Sequence, residues 1–187
     1  MASGGFVPGG FQPPMSLVTD RFRLEPLGPQ HNGADHAAWT SSIDHIRATP
    51  GYPDDDWPPL GGMTPAENLA DLRRHADDFA RRVGFTFTVL EPVDGDVIGC
   101  VYLYPPASDE FDVTVQSWVR ADRSSLDGPL ADAVARWLAT DWPWQRPDRC
   151  GRGPAGQEQP RPCVTWSRSS ALKPAAAVSA TSQTASG

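Results

Sequence analysis

The sequence predicts an α+β domain built on a mixed, mainly antiparallel central sheet flanked by helices. Three observations carry this. Residues 85–90 (FTFTVL) and 97–104 (VIGCVYLY) flank Asp94-Gly95, a strong signal for an antiparallel hairpin. A third strand-like run, from Phe111 to Val119, follows after a short polar link, so three consecutive strands meander. Helical patterns lie before and after this block, an element order that reads as a mixed α+β sheet.

Taken in order, residues 1–16 are Gly- and Pro-rich with scattered Phe6, Phe11 and Met15, which predicts a flexible leader packing loosely on the domain. Thr19, Arg21, Phe22, Leu24 and Leu27 alternate, so residues 21–25 read as the first strand, ended at Pro26. From Asp35 to Arg47 the spacing of Ala37, Ala38, Ile43 and Ile46 predicts one or two short helices. TPGYPDDDWPPLGG (49–62) is a loop by its proline and glycine content. Thr64 as N-cap, Pro65 at the first helical position and Glu67 as the capping-box partner open a helix over 64–83. Leu69, Leu72, Ala76, Phe79 and Val83 line one face of it, Asp71, Arg74, Asp78 and Arg81 the other, and Gly84 is expected to close it.

The run 97–104 is apolar on both faces, as a central strand requires. In the next strand Phe111, Val113 and Val115 alternate with polar residues, but the apolar phase then jumps to Trp118 and Val119, which predicts a β-bulge. Pro129 stands where a first helical residue would be, with Leu130, Val134, Trp137 and Leu138 behind it, so a helix should open right after Gly128. The free N–H groups of that first turn, backed by the helix dipole, offer a place for an anion, and Arg120 and Arg123 lie in the turn leading into it. As an ordinary strand-to-helix connection, the same stretch would simply carry solvated arginines. Residues 150–187 lack apolar periodicity and read as a disordered low-complexity tail, leaving 17–149 as the domain.

Composition excludes several classes. The 187-residue chain has a net charge of −7 and no basic run, which argues against sequence-independent nucleic-acid binding. No apolar stretch approaches the ~20 residues that span a bilayer, and no secretory signal opens the chain, so the expected location is the cytoplasm, with no membrane partner. Cys100, Cys150 and Cys163 are odd in number, without CxxC spacing or a nearby histidine, so neither a metal site nor a structural disulfide is expected. His31, His36, His45 and His75 fall on expected helical or loop surfaces.

The opening Thr19-Asp20-Arg21-Phe22-Arg23-Leu24-Glu25-Pro26-Leu27 resembles the T-x-R-hydrophobic-x-L-x-P-L start of the GNAT family of N-acetyltransferases, in particular its Rim-like branch. The hairpin 84–104, with Asp96-Val97-Ile98-Gly99 entering its second strand, is similar too. The resemblance spans about residues 17–149. It implies acetyl-CoA as co-substrate, held where two strands splay apart, one of them being the Phe111 to Val119 strand. It further implies amides near Trp118 and Val119 facing the thioester and a pyrophosphate loop at Arg123-Ser124-Ser125-Leu126-Asp127-Gly128, with Arg120 beside it. Arg123 and Gly128 match the family's [Q/R]-x-x-G-x-[G/A] pattern; Leu126 replaces a glycine, and Asp127 adds a charge that repels a diphosphate.

For the chemistry, the resemblance points to Glu110 and Asp112 as candidate bases, since relatives often place a carboxylate near this strand, although exposed surface charge is the simpler explanation for both. Tyr102 and Tyr104 are possible proton donors that read more simply as packing. A tyrosine that many relatives carry after the next strand has no counterpart in 142–150. The acceptor, a primary amine of a small molecule or a protein N-terminus, would meet Tyr52, Asp55 and Trp57 in the acidic loop. The alternative reading is a non-catalytic module of the same fold that binds an acyl-CoA or a protein partner. The family relation leaves open whether the tail supplies the last strands of the fold.

Overall fold

The computed structural model describes residues 5–52 and 57–150. Six strands form one sheet in sequence order: β1 (Leu17–Val18), β2 (Arg23–Pro26), β3 (Phe85–Leu90), β4 (Val97–Tyr104), β5 (Val113–Val119) and β6 (Pro147–Asp148). Every neighbouring pair is antiparallel except β5 and β6, which run parallel. The mixed, mainly antiparallel α+β sheet expected from the sequence is therefore present, with a short sixth strand at its end.

Helices cover both faces, which is why β3 and β4 are buried along their whole length. On one face α4 (Asp127–Asp141) packs Leu130, Val134, Trp137 and Leu138 against Phe87, Val101, Val113 and Val119. On the other, α1 (Asn32–Thr40), α2 (Ile43–Ala48) and α3 (Pro65–Arg81) bring Trp39, Ile46 and Leu72 against Cys100, Tyr102 and Trp118. Several of the polar groups buried here pair across the helices. Trp39 Nε1 donates to Asn68 Oδ1 at 2.9 Å and Asn68 Nδ2 to Asp35 Oδ2 at 3.1 Å, tying α1 to α3.

Local signals hold where they are strong. The Thr64/Glu67 capping box forms, and the hairpin turns around Asp94-Gly95, Gly95 having φ +72°. Elsewhere long-range contacts move the boundaries. The first expected strand, 21–25, is shifted to Arg23–Pro26 because Thr19 Oγ1 accepts from the amides of Arg21 and Phe22 and holds them in a turn between β1 and β2. The helix ends at Arg82, in the left-handed region at φ 61°, and not at Gly84. That conformation is unfavourable for a side chain; here the guanidinium of Arg82 reaches the carbonyls of Pro8 at 2.8 Å and Phe11 at 2.6 Å. The same contacts fasten the segment expected to pack loosely: Val7 is buried, and the Phe6 ring lies tilted against Trp144 while the Phe6 carbonyl accepts from Trp144 Nε1. Gly84 serves sterics instead, since a Cβ there would collide with the Tyr104 ring.

The expected bulge at Trp118 and Val119 is absent. β5 pairs with β4 in unbroken register from Gly99↔Val119 to Tyr104↔Thr114, and the strand begins at Val113 rather than Phe111. Val113, Val115, Ser117 and Val119 keep strict alternation on the α4 side, and Trp118 belongs to the opposite core, so two-sided burial imitates a phase jump. The bulge lies one strand over, in β4, where Val89↔Gly99 gives way to Leu90↔Val97 and leaves Ile98 as the extra residue. Helix α4 starts at Asp127, with Pro129 third in its first turn, a position where a missing N–H leaves no helical bond unmade.

His31 and His75 are buried, not superficial. His75 Nδ1 lies 2.7 Å from the Tyr104 hydroxyl, which donates to Asp78 at 3.1 Å. Cys100 is free and buried, whereas Cys150 is disulfide-bonded, against expectation. The expected tail, from 151 onward, lies outside the described residues. No described helix is long and apolar enough to cross a membrane.

Gly99 sets the closest approach in the sheet: a Cβ there would overlap the Trp118 carbonyl, whereas one on Gly128 meets nothing within 4 Å. Gly99→Ala should therefore cost about 1 to 3 kcal/mol as an overpacked site, while Gly128→Ala should be neutral or gain up to about 1 kcal/mol. Denaturant unfolding of both variants checks this; equal midpoints would contradict the register.

Candidate functional site

The site is built on the outer edge of β5. Arg120 N donates to Ile98 O at 2.8 Å. Antiparallel pairs alternate between exchanging and not exchanging backbone hydrogen bonds, so Trp118, Gln116 and Thr114 turn their backbone groups to β4. Those of Val115, Ser117 and Val119 turn outward. β6 meets β5 only at Val113 and Thr114, so beyond that point this outward edge has no strand beside it among the described residues. Under the gap lies α4, presenting Ala131 and Ala135 one turn apart. A cavity of about 20 Å³, lined by Val115, Ser117, Ala131, Val134, Ala135, Leu138 and Arg149, marks the place. It holds roughly one water-sized group. None of its lining residues is a carboxylate.

Directly after the open edge, Ala121–Leu126 form a 3-10 turn leading into α4. Leu126 gives the helix no side-chain cap. Ser124, Ser125 and Gly128 are exposed, and the space over Gly128 is clear. An anion could reach the first-turn amides here. The two arginines, however, are already engaged. Arg120 donates to Asp122 Oδ2 at 2.8 Å, and Arg123 donates from Nε to Glu91 Oε1 at 2.6 Å while a second nitrogen lies 3.3 Å from Asp122. Glu91, first among the surrounding charges, pushes the Arg123 pKa further up. Asp127 follows directly in the chain and adds a further carboxylate to the turn.

The remaining candidates are dispersed. Trp118 is fully buried, its indole donating to the Tyr102 hydroxyl at 3.2 Å, so of the two residues expected to face a thioester only Val119 has its amide on the open side. Tyr52 and Trp57 pack into the same aromatic cluster, with ring centroids 5.8 Å apart and Trp57 5.9 Å from Trp118. Gln116 Nε2 donates to Gly51 O at 3.0 Å and brings that loop onto β5; Asp55 lies outside the described residues. Glu110 and Asp112 sit before the first residue of β5, a strand length of roughly 20 Å from the turn. Glu110 is exposed. Asp112 accepts from the Arg146 guanidinium at 2.7 Å and from the amides of Gln145 and Arg146 at 2.9 Å, and these bonds, the guanidinium first, hold its carboxyl below the usual range. It anchors the segment that becomes β6. The sequence reading missed Ser117, Ala131, Ala135 and Arg149; the i, i+4 alanines on α4 were its only local trace of the cavity.

No protein-family model matches the chain, and no curated protein matches it by sequence. Solved structures do. A ribosomal-protein-S5-alanine acetyltransferase from Vibrio fischeri superposes with a TM-score of 0.53 at 14% identity, covering 67% of each chain. The microcin C7 self-immunity acetyltransferase MccE, in complex with acetyl-CoA and AMP, gives 0.52 at 12% identity over 68% of this chain and 66% of that one. RimL, a ribosomal L7/L12 alpha-N-protein acetyltransferase in complex with coenzyme A, gives 0.51 at 12% identity over 66% of both. The chain thus has the fold of the GNAT acetyltransferases, as its opening motif and hairpin suggested.

The Asp112 anchor has a pH signature. A carboxyl whose folded pKa is lowered stabilises above its unfolded value, about 3.9, and loses that stabilisation as pH falls through the folded value. Asp112→Asn should therefore be less stable than the parent at pH 7, with a smaller difference at about pH 2. Thermal unfolding at both pH values measures it; an equal stability at pH 7 would remove the anchor.

Proposed function

We propose that this chain, built on the GNAT fold, binds acetyl-CoA along the open edge of β5 and transfers the acetyl group to a primary amine of a small molecule or a protein N-terminus. The observation that carries this reading is the outward-facing backbone of Val115, Ser117 and Val119 beside a cavity floored by small α4 residues. An extended ligand arm with amide groups finds donors and acceptors along such an edge, with the small side chains of Ala131 and Ala135 beneath it. When bound, the co-substrate supplies an activated thioester carbonyl.

The chain's own residues would then act as follows. Ser117 N–H donates to the carbonyl and stabilises negative charge developing on it, while Val119 N–H, about 7 Å nearer the turn, pairs with the ligand arm. The amides around Asp127 and Gly128, with Arg123, meet the diphosphate. The fit there is partial: the space over Gly128 is clear, but Arg123 has to be shared with or released by Glu91. Tyr52, Asp55 and Trp57 lie in the loop that would border the acceptor. Because Asp112 is tied to Arg146, Glu110 is the freer carboxylate of the candidate pair; since no carboxylate lines the cavity, the acceptor's proton passes to solvent.

A second reading, a non-catalytic module binding acyl-CoA or a protein partner, is favoured by the same Arg123 to Glu91 pair, which fills the turn's cation with an internal anion. Calorimetry of the full chain separates the two. On the first reading acetyl-CoA binds, Glu91→Gln tightens it several-fold by freeing Arg123, and Arg123→Ala weakens it. Acetyl-pantetheine, lacking the diphosphate, should be insensitive to both changes. Absence of acetylated amine by mass spectrometry, across small amines and peptide N-termini, would leave the second reading in place.

A further inference from the structure

We propose that Arg149 is the cation that receives the negative charge left on sulfur when a thioester is cleaved in the β5 opening, an assignment that rests on the acetyl-transfer reading above. Acyl transfer from a thioester to an amine forms a C–N bond and breaks a C–S bond. The electron pair of the broken bond stays on sulfur as a thiolate, and the amine's proton goes to water. A thiolate formed against an apolar wall needs a cation or donors to hold it.

Arg149 is the charged residue lining the cavity, in company with Val115, Ser117, Ala131, Val134, Ala135 and Leu138. It is half-buried directly after β6, across the gap from the outward-facing Ser117. Its guanidinium makes no hydrogen bond or ion pair among the described residues. The arginines nearest the site behave differently: Arg120 and Arg123 are held by Asp122 and Glu91, and Arg146 by Asp112. The adjoining Asp148 makes no ion pair with it; its Oδ1 accepts from Cys150 N at 3.1 Å. Keeping a guanidinium half out of water without a partner costs free energy that an incoming anion recovers. An arginine stays protonated throughout, so it stabilises the thiolate by charge and hydrogen bonds rather than by giving up a proton.

The direct readout is the affinity of free CoA relative to acetyl-CoA as a function of pH, measured by calorimetry on the full chain. The thiol of CoA ionises near the ordinary thiol range, about 8.5, and a neighbouring cation lowers that value in the complex. If binding lowers it by one unit, CoA affinity rises about eightfold between pH 6 and pH 9, while acetyl-CoA, which has no thiol, does not follow. Arg149→Leu should abolish this rise and lower kcat with little change in acetyl-CoA affinity. Arg149→Lys should retain part of the rise. A wild-type ratio that does not change with pH, or an identical rise in Arg149→Leu, would overturn the assignment while acetyl-CoA binding upheld the wider reading. If acetyl-CoA does not bind at any pH, the wider reading fails, and the assignment with it.

Discussion

The close pairing of β4 with β5 is the constraint on which the rest depends. Both strands are covered on both faces, so their backbone groups can be satisfied only by each other or by a further strand. Gly99 lets the two backbones approach where a side chain would collide with the Trp118 carbonyl, and the bulge at Ile98 absorbs the mismatch with β3. With β5 fixed in this register, alternation determines which of its residues point their amides away from β4. Because β6 leaves the edge after two residues, Val115, Ser117 and Val119 are the ones that border an opening.

Around that opening the charges are distributed unevenly. At the turn, Glu91 and Asp122 answer Arg123 and Arg120, and Asp127 adds a further carboxylate, so an incoming diphosphate meets a cation that is already occupied. At the other side Arg149 stands in an uncharged lining without a carboxylate partner among the described residues. Among the described residues, the arginine not held by a carboxylate thus lies on the Ser117 side of the opening and not at the turn. A site of this kind would take its orientation from the strand edge more than from the turn.

How much of this was legible in the sequence depended on the range of the determining contacts. The hairpin around Asp94-Gly95 and the Thr64/Glu67 cap are decided within a few residues, and both could be read directly. Arg82 ends its helix because carbonyls about seventy residues earlier hold its guanidinium, which no local pattern reveals. The apparent bulge in β5 followed from treating a two-sided buried strand as one-sided. In the same way Arg123 was readable from its motif, but Glu91, 32 residues away, was not. Arg149 follows a two-residue strand with no pattern of its own, and only the fold brings it to Ser117.

The central claim, that the outer edge of β5 is where a CoA thioester lies, is tested most directly by residue-resolved amide hydrogen exchange with and without acetyl-CoA. The account predicts slowed exchange at Val115, Ser117 and Val119 and at the first turn of α4, with Gln116 and Trp118, already bonded to β4, unchanged. Protection confined to other elements, or exchange along β5 that is indifferent to acetyl-CoA at saturating concentration, would contradict it.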